Sequence, residues 1–406
     1  MRREHTPLLL ALVAMFVQQS FASLGRSLPP IIAPAILDDL ALDPAWLGLY
    51  VGVAAAAALI FQLGCGSFIL SQGALRMSQA ALAMLAIGLA AAAYAPPLLL
   101  FAVSAIIGGG GAAVSTPASS HLLGRYSPPR QAPLVFSIKQ TAVPAGLLIA
   151  GLIGPWLTAL AGWRATLLIA GLACLAFAVA LEPLRKEFDS DRVPGRAFRL
   201  SDFRTTLATV WRQPDLRTLA LACFAFNGLQ TVFTSYFVVY LVALGHGLAA
   251  AGFVFSVAML IAVPGRILWG WMSSGMVPPA RMMGALALGM AASAALAGLY
   301  GAGWSLVLVG LVALGLSMTA MSWHGVLLAE AARLAPEGMR GAATGGVLSF
   351  GQIGGLVLPM IYAALLAFTG SHGIGFAISG LPALLVALAL LRPARRPPVD
   401  GADRRA

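Results

Sequence analysis

Long apolar segments dominate the chain, and each is long enough to cross the hydrocarbon core of a bilayer. A spanning helix needs about 20 predominantly apolar residues, and twelve such segments occur, separated by turn-forming Gly and Pro residues. The pattern predicts an all-α integral membrane protein with twelve transmembrane helices. The segments begin near Leu8, Ala45, Met77, Pro97, Ala132, Arg164, Leu219, Leu248, Met282, Trp304, Gly341 and Gly373.

The composition excludes the main soluble classes of protein. Of the 406 residues, 60% are hydrophobic and 10% are charged, and the mean hydropathy is +0.90. An ordinary soluble domain has roughly 25% charged residues, because its surface must be solvated. A soluble enzyme, a nucleic-acid-binding protein and a disordered protein are therefore all excluded.

One long polar segment divides the apolar segments into six and six. It is rich in Arg and Lys and extends from about Glu182 to Arg217. We predict an N-terminal six-helix bundle (1–181), a cytoplasmic linker (182–217), a C-terminal six-helix bundle (218–391) and a cytoplasmic tail (392–406).

The distribution of positive charge predicts the orientation of the chain. If the N-terminus is cytoplasmic, 21 of the 25 Lys and Arg residues lie in the cytoplasmic loops, the linker and the tails. This asymmetry follows the positive-inside rule, so both termini are predicted to be cytoplasmic. The net charge of +11 is a topology signal and does not indicate a nucleic-acid partner.

The two halves resemble each other at an offset of about 204 residues. Gln62 precedes Gly66 by four positions, as Arg266 precedes Gly270, and Pro155 corresponds to Pro359. Two parallel six-span repeats are typical of transporters built from two bundles related by an axis along the membrane normal.

At this level the whole chain resembles the major facilitator superfamily (MFS). The 6+6 plan and the long central linker carry the resemblance, together with Gly66, Gly73 and Arg76 of the family's motif between spans two and three. Leu70 replaces the acidic residue of that motif. The second copy, in the segment 265–274, has Ser274 at the acidic position.

Two further segments carry a narrower resemblance. The segment 136–146 is similar to span five of cyanate-permease-like bacterial members, and Arg266 is similar to the arginine that organic-anion and monocarboxylate members use for their substrate. The resemblance implies the 6+6 pseudo-symmetric fold, a secondary transporter in the bacterial inner membrane, and a cavity lined by spans one, four, seven and ten.

Within the spans, positive charges outnumber negative ones. Arg26, Lys139 and Arg266 lie inside apolar segments, whereas Glu330 is the single acidic residue in a span. A charge at the bilayer centre costs at least about 2.5–3.5 kcal/mol, so the surplus needs an anionic partner. The substrate is the candidate, because Arg matches a carboxylate in geometry. Structural alternatives remain open for all four residues. Arg26 could pair with an acid of the 38–43 loop, Lys139 could extend to the headgroups, Arg266 could form a cytoplasmic latch, and Glu330 could pair with a nearby arginine.

Polar and aromatic residues of other spans complete the predicted binding site. Those selected are Gln18, Asn227, Gln230, Gln352, Trp323 and His324. His324, His121 and Glu330 are the candidates for proton coupling.

The sequence thus predicts a secondary active transporter that moves a small organic anion, with a carboxylate as the expected class, by alternating access. The alternatives are a drug or metabolite efflux antiporter of the same fold and a membrane-embedded enzyme. For the last, the sequence shows no polar catalytic cluster, so the protein is predicted not to be an enzyme. We expect a monomer surrounded by membrane lipids, with no cofactor, metal or nucleic acid. Protons are a candidate coupling ion, and exchange and uniport remain open as alternatives.

Overall fold

A computed structural model describes residues 6–94, 98–128, 132–193, 207–208, 210–273, 276–301, 303–335 and 340–392, as helices joined by turns, with no β-strand among them. The tail beyond Arg392 and the middle of the predicted linker lie outside these residues. The helices of the first half are α1 (Thr6–Ile31), α2 (Ala33–Asp39), α3 (Trp46–Gln72), α4 (Ala74–Ala93), α5 (Leu98–Tyr126), α6 (Ala132–Gln140), α7 (Ala142–Ala180) and α8 (Arg185–Phe188), with a 3-10 turn at Glu182–Leu184.

The second half repeats the pattern of long apolar helices. Because a bilayer offers no partners for backbone N–H and C=O groups, a spanning segment satisfies them internally by forming a helix. The helices are α9 (Pro214–Ala243), α10 (Leu248–Ser273), α11 (Pro279–Ala297), α12 (Leu306–Ala320), α13 (His324–Leu334), α14 (Arg340–Thr369), α15 (His372–Ser379) and α16 (Leu381–Leu391).

Among the described residues, ten helices are long and apolar enough to cross a membrane. One of them, Ile138–Phe188, is 51 residues long and is interrupted at Gly162, whose backbone is not helical. Helix α3 has 27 residues, and its segment Trp46–Gln62 is apolar but shorter than the ten. The multi-pass, all-helical fold is confirmed, and the count of twelve stays a prediction that depends on these two helices.

Three glycines form turns that the sequence predicts between spans. Gly73, Gly162 and Gly370 have φ values of 103°, 80° and 66°, in the region that favours glycine. At Gly73 the Asp189 side chain occupies the place where a Cβ would lie. The Asp189 carboxylate accepts hydrogen bonds from the first turn of α4, from Leu75 N at 2.7 Å and from Arg76 N at 3.0 Å.

Asp189 lies next to the motif whose own acidic position is occupied by Leu70. It follows α8, and its carboxylate satisfies two N–H groups that would otherwise have no partner at the start of α4. Burial raises the pKa of this carboxyl, while the two N–H donors act in the opposite direction. The start of the linker is therefore held to the N-terminal bundle by these two hydrogen bonds.

Equivalent helices pack together in the two halves. In the first half α5 lies against α3 and α4, and in the second half α12 lies against α10 and α11. Likewise α4 packs on α7, and α11 packs on α16. These matching contacts support the repeat found in the sequence. The halves meet where α3 contacts α14, where α7 contacts α10 and where α1 contacts α9.

The contacts between the halves run along antiparallel helix pairs. We call the end at which α3 and α10 begin the distal end, and the end at which they finish the proximal end. At the distal end Gly48 is in close contact with Ala363, and Gly252 is in close contact with the Gly151 carbonyl. Small residues let helix backbones approach closely in membranes, so the two bundles are tightly joined at this end.

The surface and the interior differ in the way expected for a protein in lipid. Large apolar side chains are exposed on many helices, including Leu160, Leu172 and Phe368. The three cysteines, Cys65, Cys174 and Cys223, are instead buried and not in disulfides. Apolar side chains face outward because lipid, rather than water, covers the helices.

Candidate functional site

Arg266 lies at the boundary between the two bundles, on α10. It is seven residues before the end of the helix at Ser273, about 10 Å from the proximal end at 1.5 Å per residue. Its Nε donates to the Met321 carbonyl at 2.8 Å, and its Nη1 donates to the Gln140 carbonyl at 2.5 Å. The third nitrogen, Nη2, is buried and has no hydrogen-bond partner in the described part of the chain.

Lys139 faces Arg266 from the other bundle. Its side chain is completely buried, and its Nζ has no hydrogen-bond partner among the residues that the structure describes. The ammonium and the guanidinium are close enough to interact electrostatically. In the part of the chain that the structure describes, neither forms an ion pair with Asp or Glu. Two positive groups are thus brought together without a counter-charge.

An aromatic pair forms the neighbouring wall of this site. The His324 ring is stacked on Trp323 with 3.7 Å between centroids, and His324 also interacts electrostatically with Arg266. Trp323 is 1% exposed, and its Nε1 donates to Gln230 Oε1 at 3.0 Å. Within the described ranges, the buried Nδ1 of His324 has no hydrogen-bond partner. Five of the predicted site residues therefore lie in one region, which we call the basic site: Lys139, Arg266, His324, Trp323 and Gln230.

Arg26 is placed elsewhere. Together with Tyr50 and Ser104, it lines a separate cavity of about 20 Å³ between α1, α3 and α5, which has room for about one water molecule. It interacts electrostatically with Tyr50. The loop acid Asp39 pairs instead with Arg164 at 2.7 Å. Among the described residues, Arg26 forms no ion pair with Asp38, Asp39 or Asp43.

Three further predicted polar ligands have hydrogen-bond partners that are not members of the basic site. Gln18 donates to Ser115 Oγ at 3.0 Å, although its own Oε1 is buried without a partner. Asn227 donates to the Gly351 carbonyl at 2.7 Å. Gln352 donates to Gln62 Oε1 at 2.8 Å, a contact that joins α14 to α3 across the two bundles.

Two of the three coupling candidates form ion pairs. His121 Nε2 lies 2.9 Å from Asp191 Oδ2, and Asp191 also pairs with Arg125 at 3.2 Å. Glu330 is 8% exposed and pairs with Arg333 at 2.6 Å. Of the three candidates, His324 is the one that lies at the basic site.

The backbone partners of Arg266 are the part of the site that analysis of side chains misses. Both partners are backbone carbonyl groups. Because every residue has one, the residue type does not indicate which carbonyl will accept a hydrogen bond from Arg266. A signal is nevertheless present for one of them, because Pro144 follows Gln140 by four positions and has no N–H to donate in the helix.

These features define a multi-pass membrane protein in which two helical bundles enclose a buried basic site. The profile of the Major Facilitator Superfamily matches residues 15–331, and the chain belongs to this family. The predicted family and fold class are therefore confirmed. Membership makes the protein a transporter and not an enzyme, as the sequence predicts.

Known relatives agree with this assignment. A gallate transporter from Pseudomonas putida is 25% identical over 410 residues, which cover 94% of this chain and 91% of the relative. The structure of a POT family transporter in complex with 5-aminolevulinic acid superposes with a TM-score of 0.76 at 14% identity and 94% coverage of both chains.

A second solved structure is a bacterial homologue of the human lysosomal transporter Spinster, in an inward-facing and occupied conformation. It gives a TM-score of 0.69 at 15% identity and covers 93% of this chain and 94% of its own. At such identities the two structures are evidence for a shared fold. They are not evidence about the substrate of this chain.

Proposed function

We propose that the protein is a secondary active transporter that moves a small organic anion by alternating access, with Arg266 and Lys139 as its anion ligands. One observation carries the proposal. Among the described residues, the buried Nζ of Lys139 and the buried Nη2 of Arg266 are both without partners, and they belong to neighbouring positive groups on opposite bundles.

The charge arrangement is costly while the site is empty. Transfer of an ionised group from water into a low-dielectric interior is strongly unfavourable unless the charge is paired, and here two like charges also repel. A bound carboxylate offsets both costs, because the guanidinium donates in a fork and the ammonium adds a point charge. Because the two ligands come from different bundles, the anion lies where alternating access places a substrate.

The shape of the site supports a carboxylate with a planar body. Trp323 and His324 present stacked rings, and His324 interacts with Arg266. Gln230 fixes the indole by accepting its N–H. The relative from Pseudomonas putida is a transporter of gallate, which is an aromatic carboxylate. Gallate is therefore the first probe for this chain.

Protons are the proposed coupling ion, and His324 is the leading candidate to carry them. Its ring is beside Arg266 and has one unpartnered nitrogen. Arrival of an anion next to Arg266 would offset the repulsion that a protonated imidazole experiences there. Binding of the anion and of the proton would thus favour each other.

Binding of gallate and of its neutral amide by purified protein tests the proposal. Wild type should bind gallate at least about tenfold more tightly than the amide, because a charge-assisted hydrogen bond contributes about 1.5–3 kcal/mol. Lys139→Gln should weaken gallate binding by about ten- to a hundredfold and leave binding of the amide nearly unchanged. Arg266→Lys should also weaken it, although charge is kept, because Lys cannot form the two-pronged contact.

Matched control variants separate the site from general charge effects. Lys186→Gln on α8 and Arg281→Lys on α11 change exposed residues of the same types and should leave gallate affinity unchanged. Equal binding of gallate and its amide by wild type, or a preference for cations, would refute the anion proposal.

A further inference from the structure

Arg26 is a positively charged residue within a membrane span that needs a counter-charge. It lies on α1, five residues before the end of that helix at Ile31. Among the described residues, its guanidinium forms no hydrogen bond or ion pair, and its electrostatic contact is with Tyr50. The loop acid Asp39 is paired with Arg164. Because an unpaired charge in a low-dielectric interior is strongly unfavourable, we expect Arg26 to have an anionic partner from outside the chain.

The Arg26 side chain lines a small cavity among helices of the first half. The lining residues come from α1, α3, α4 and α5, and they include two side chains with hydroxyl groups, Tyr50 and Ser104. Among the described lining residues, Arg26 is the only charged one. The volume of about 20 Å³ leaves room for a particle of about the size of one water molecule. An organic carboxylate is too large for this space, and a metal cation would be repelled by the guanidinium.

The two hydroxyl groups supply a hydrogen-bond donor whichever way they are paired. Tyr50 Oη lies 3.3 Å from Ser104 Oγ, and either atom could be the donor. Each hydroxyl has one hydrogen, so the hydroxyl that accepts keeps its own O–H for another partner. Together with the N–H groups of Arg26, this O–H gives the cavity the donors that an anion requires. A water molecule could accept from the same donors, but it would not neutralise the charge.

We propose that this cavity binds a monatomic anion of about the size of chloride, which accepts hydrogen bonds from Arg26 and from the free hydroxyl of the Tyr50–Ser104 pair. All of these ligands belong to the first half of the chain, whereas the basic site is shared between the two halves. The anion therefore stays bound when the halves move relative to each other, and it is a structural ion rather than cargo. The proposal does not depend on the identity of the transported substrate.

Binding of radiolabelled chloride to purified wild-type protein, at constant ionic strength, is the first test. Chloride should bind saturably and should be displaced by bromide, whereas sulfate and gluconate are too large to compete in this cavity. Arg26→Gln should weaken the binding at least about tenfold, because a charge-assisted hydrogen bond is lost. Arg281→Gln is the matched control, since it removes an exposed arginine of α11, and it should leave chloride affinity unchanged. Absence of saturable binding in wild type would overturn the proposal and assign the cavity to water.

Lys139→Gln distinguishes this site from chloride bound at the basic site. The variant removes the ammonium of the basic site and changes no residue that lines the Arg26 cavity, so chloride binding at Arg26 should persist in it. The double variant Arg26→Gln/Lys139→Gln should lose the binding that Lys139→Gln retains. Loss of all saturable chloride binding in Lys139→Gln alone would assign the ion to the basic site and overturn the proposal.

Gly108 allows a test that leaves every polar group in place. It lines the cavity, and among the described residues the one atom that a Cβ there would meet within 4 Å is Leu85 Cδ2, at 4.0 Å. Gly108→Ala therefore places a methyl group in the space of the anion and should weaken chloride binding at least about tenfold.

Gly124→Ala is the matched control for the steric test. It makes the same change on the same helix, at an exposed position where a Cβ has no described neighbour within 4 Å, and it should bind chloride as wild type does. Chloride affinity that is unchanged in either Arg26→Gln or Gly108→Ala would overturn the proposal.

Discussion

Arg266 combines two roles that arginines in proteins usually perform separately. Two of its nitrogens donate to backbone carbonyls, as in a structural arginine. The third has no partner among the described residues, as expected of a binding site without its ligand. Neutral carbonyls orient a guanidinium without cancelling its charge. The side chain is therefore held in place and keeps its attraction for an anion. If the proposed anion binds there, the cost of ordering the side chain is lower because it is already held.

Glu330 gives a test at the scale of single residues. It accepts two hydrogen bonds from Arg333, at 2.7 and 2.6 Å, and the Arg333 side chain is 65% exposed. We expect Glu330→Gln to leave gallate counterflow largely intact and to cost about 1 kcal/mol of stability, because the partner remains hydrated. Counterflow in proteoliposomes and the melting temperature are the measurements.

Arg333→Gln is the control for that variant. If pairing explains Glu330, both variants should lower the melting temperature by similar amounts and retain counterflow. A fall in gradient-driven accumulation in Glu330→Gln alone would assign a coupling role to its carboxyl group. Loss of both binding and counterflow would contradict the prediction.

The residues of the basic site were predictable from sequence to the extent that their side chains are unusual. Lys139 and Arg266 are conspicuous because charged residues are rare inside membrane spans. Arg26 meets the same criterion and yet lines a different cavity, since depth along a helix does not specify which face the side chain occupies. The Gln140 carbonyl was not predicted, because its availability depends on a helix break and not on its side chain.

At the scale of elements, the short helix α2 is hydrogen-bonded to the long helix α7 near the distal end. Asp39, the last residue of α2, accepts hydrogen bonds from Trp163 Nε1 at 3.1 Å and Arg164 Nη1 at 2.7 Å. Both donors directly follow Gly162, the non-helical residue within α7. The turn at Gly162 thus places two donors against the end of α2.

This contact predicts a dependence of stability on pH. The hydrogen bonds from Arg164 and Trp163 hold the pKa of the Asp39 carboxyl below its ordinary value. The stability that the ionised group contributes is therefore complete above its unfolded pKa of about 3.9 and is lost as the pH falls through the lower folded value. The melting temperatures of wild type and Asp39→Asn should differ by a constant amount above about pH 5 and converge well below about pH 4.

Asp38→Asn is the matched control, because Asp38 is the neighbouring exposed acid and takes part in none of the ion pairs described. It should follow wild type at every pH. A difference between wild type and Asp39→Asn that persists at the lowest pH would show that the contact does not depend on ionisation.

The elements themselves were the most predictable part of the fold. Apolar length predicted the spanning helices, and Gly73, Gly162 and Gly370 lie at turns with positive φ. The sequence did not predict that Asp189 would cap α4, because the two are far apart in the chain. The orientation in the membrane stays a prediction, since it rests on the distribution of Lys and Arg.

At the scale of the whole molecule, the distal end is closed by contacts between backbones. Helices α7 and α10 meet at Gly151 and Gly252, and Ser256 donates to the Leu148 carbonyl at 3.0 Å. Helices α3 and α14 meet at Gly52, where a Cβ would lie 2.9 Å from Met360 Cγ. The proposed alternating access requires these pairs to separate, so we expect close packing there to stabilise the conformation in which the distal end is closed.

Gly252→Val should shift the molecule away from this conformation. The added side chain has no room beside the Gly151 carbonyl and Pro155, whereas a Cβ at Gly270 on the same helix would have no neighbouring atoms within 4 Å. We expect faster amide hydrogen exchange at the distal ends of α3, α7, α10 and α14 in Gly252→Val, with transport reduced at least about tenfold. Gly270→Val should resemble wild type.

Unchanged exchange in a folded, inactive Gly252→Val protein would contradict this interpretation. It would show that the substitution acts inside one bundle and not on the contact between the two.

The burial of all three native thiols has a practical consequence for measuring these motions. Cys65 is 3% exposed, and Cys174 and Cys223 are fully buried, so a maleimide reagent reaches them slowly. A cysteine introduced at an exposed helix end would then be modified selectively in the otherwise natural sequence. Pairs of fluorophores or spin labels could be attached without first removing the natural cysteines, and the small thiols that fill the interior between helices would stay in place.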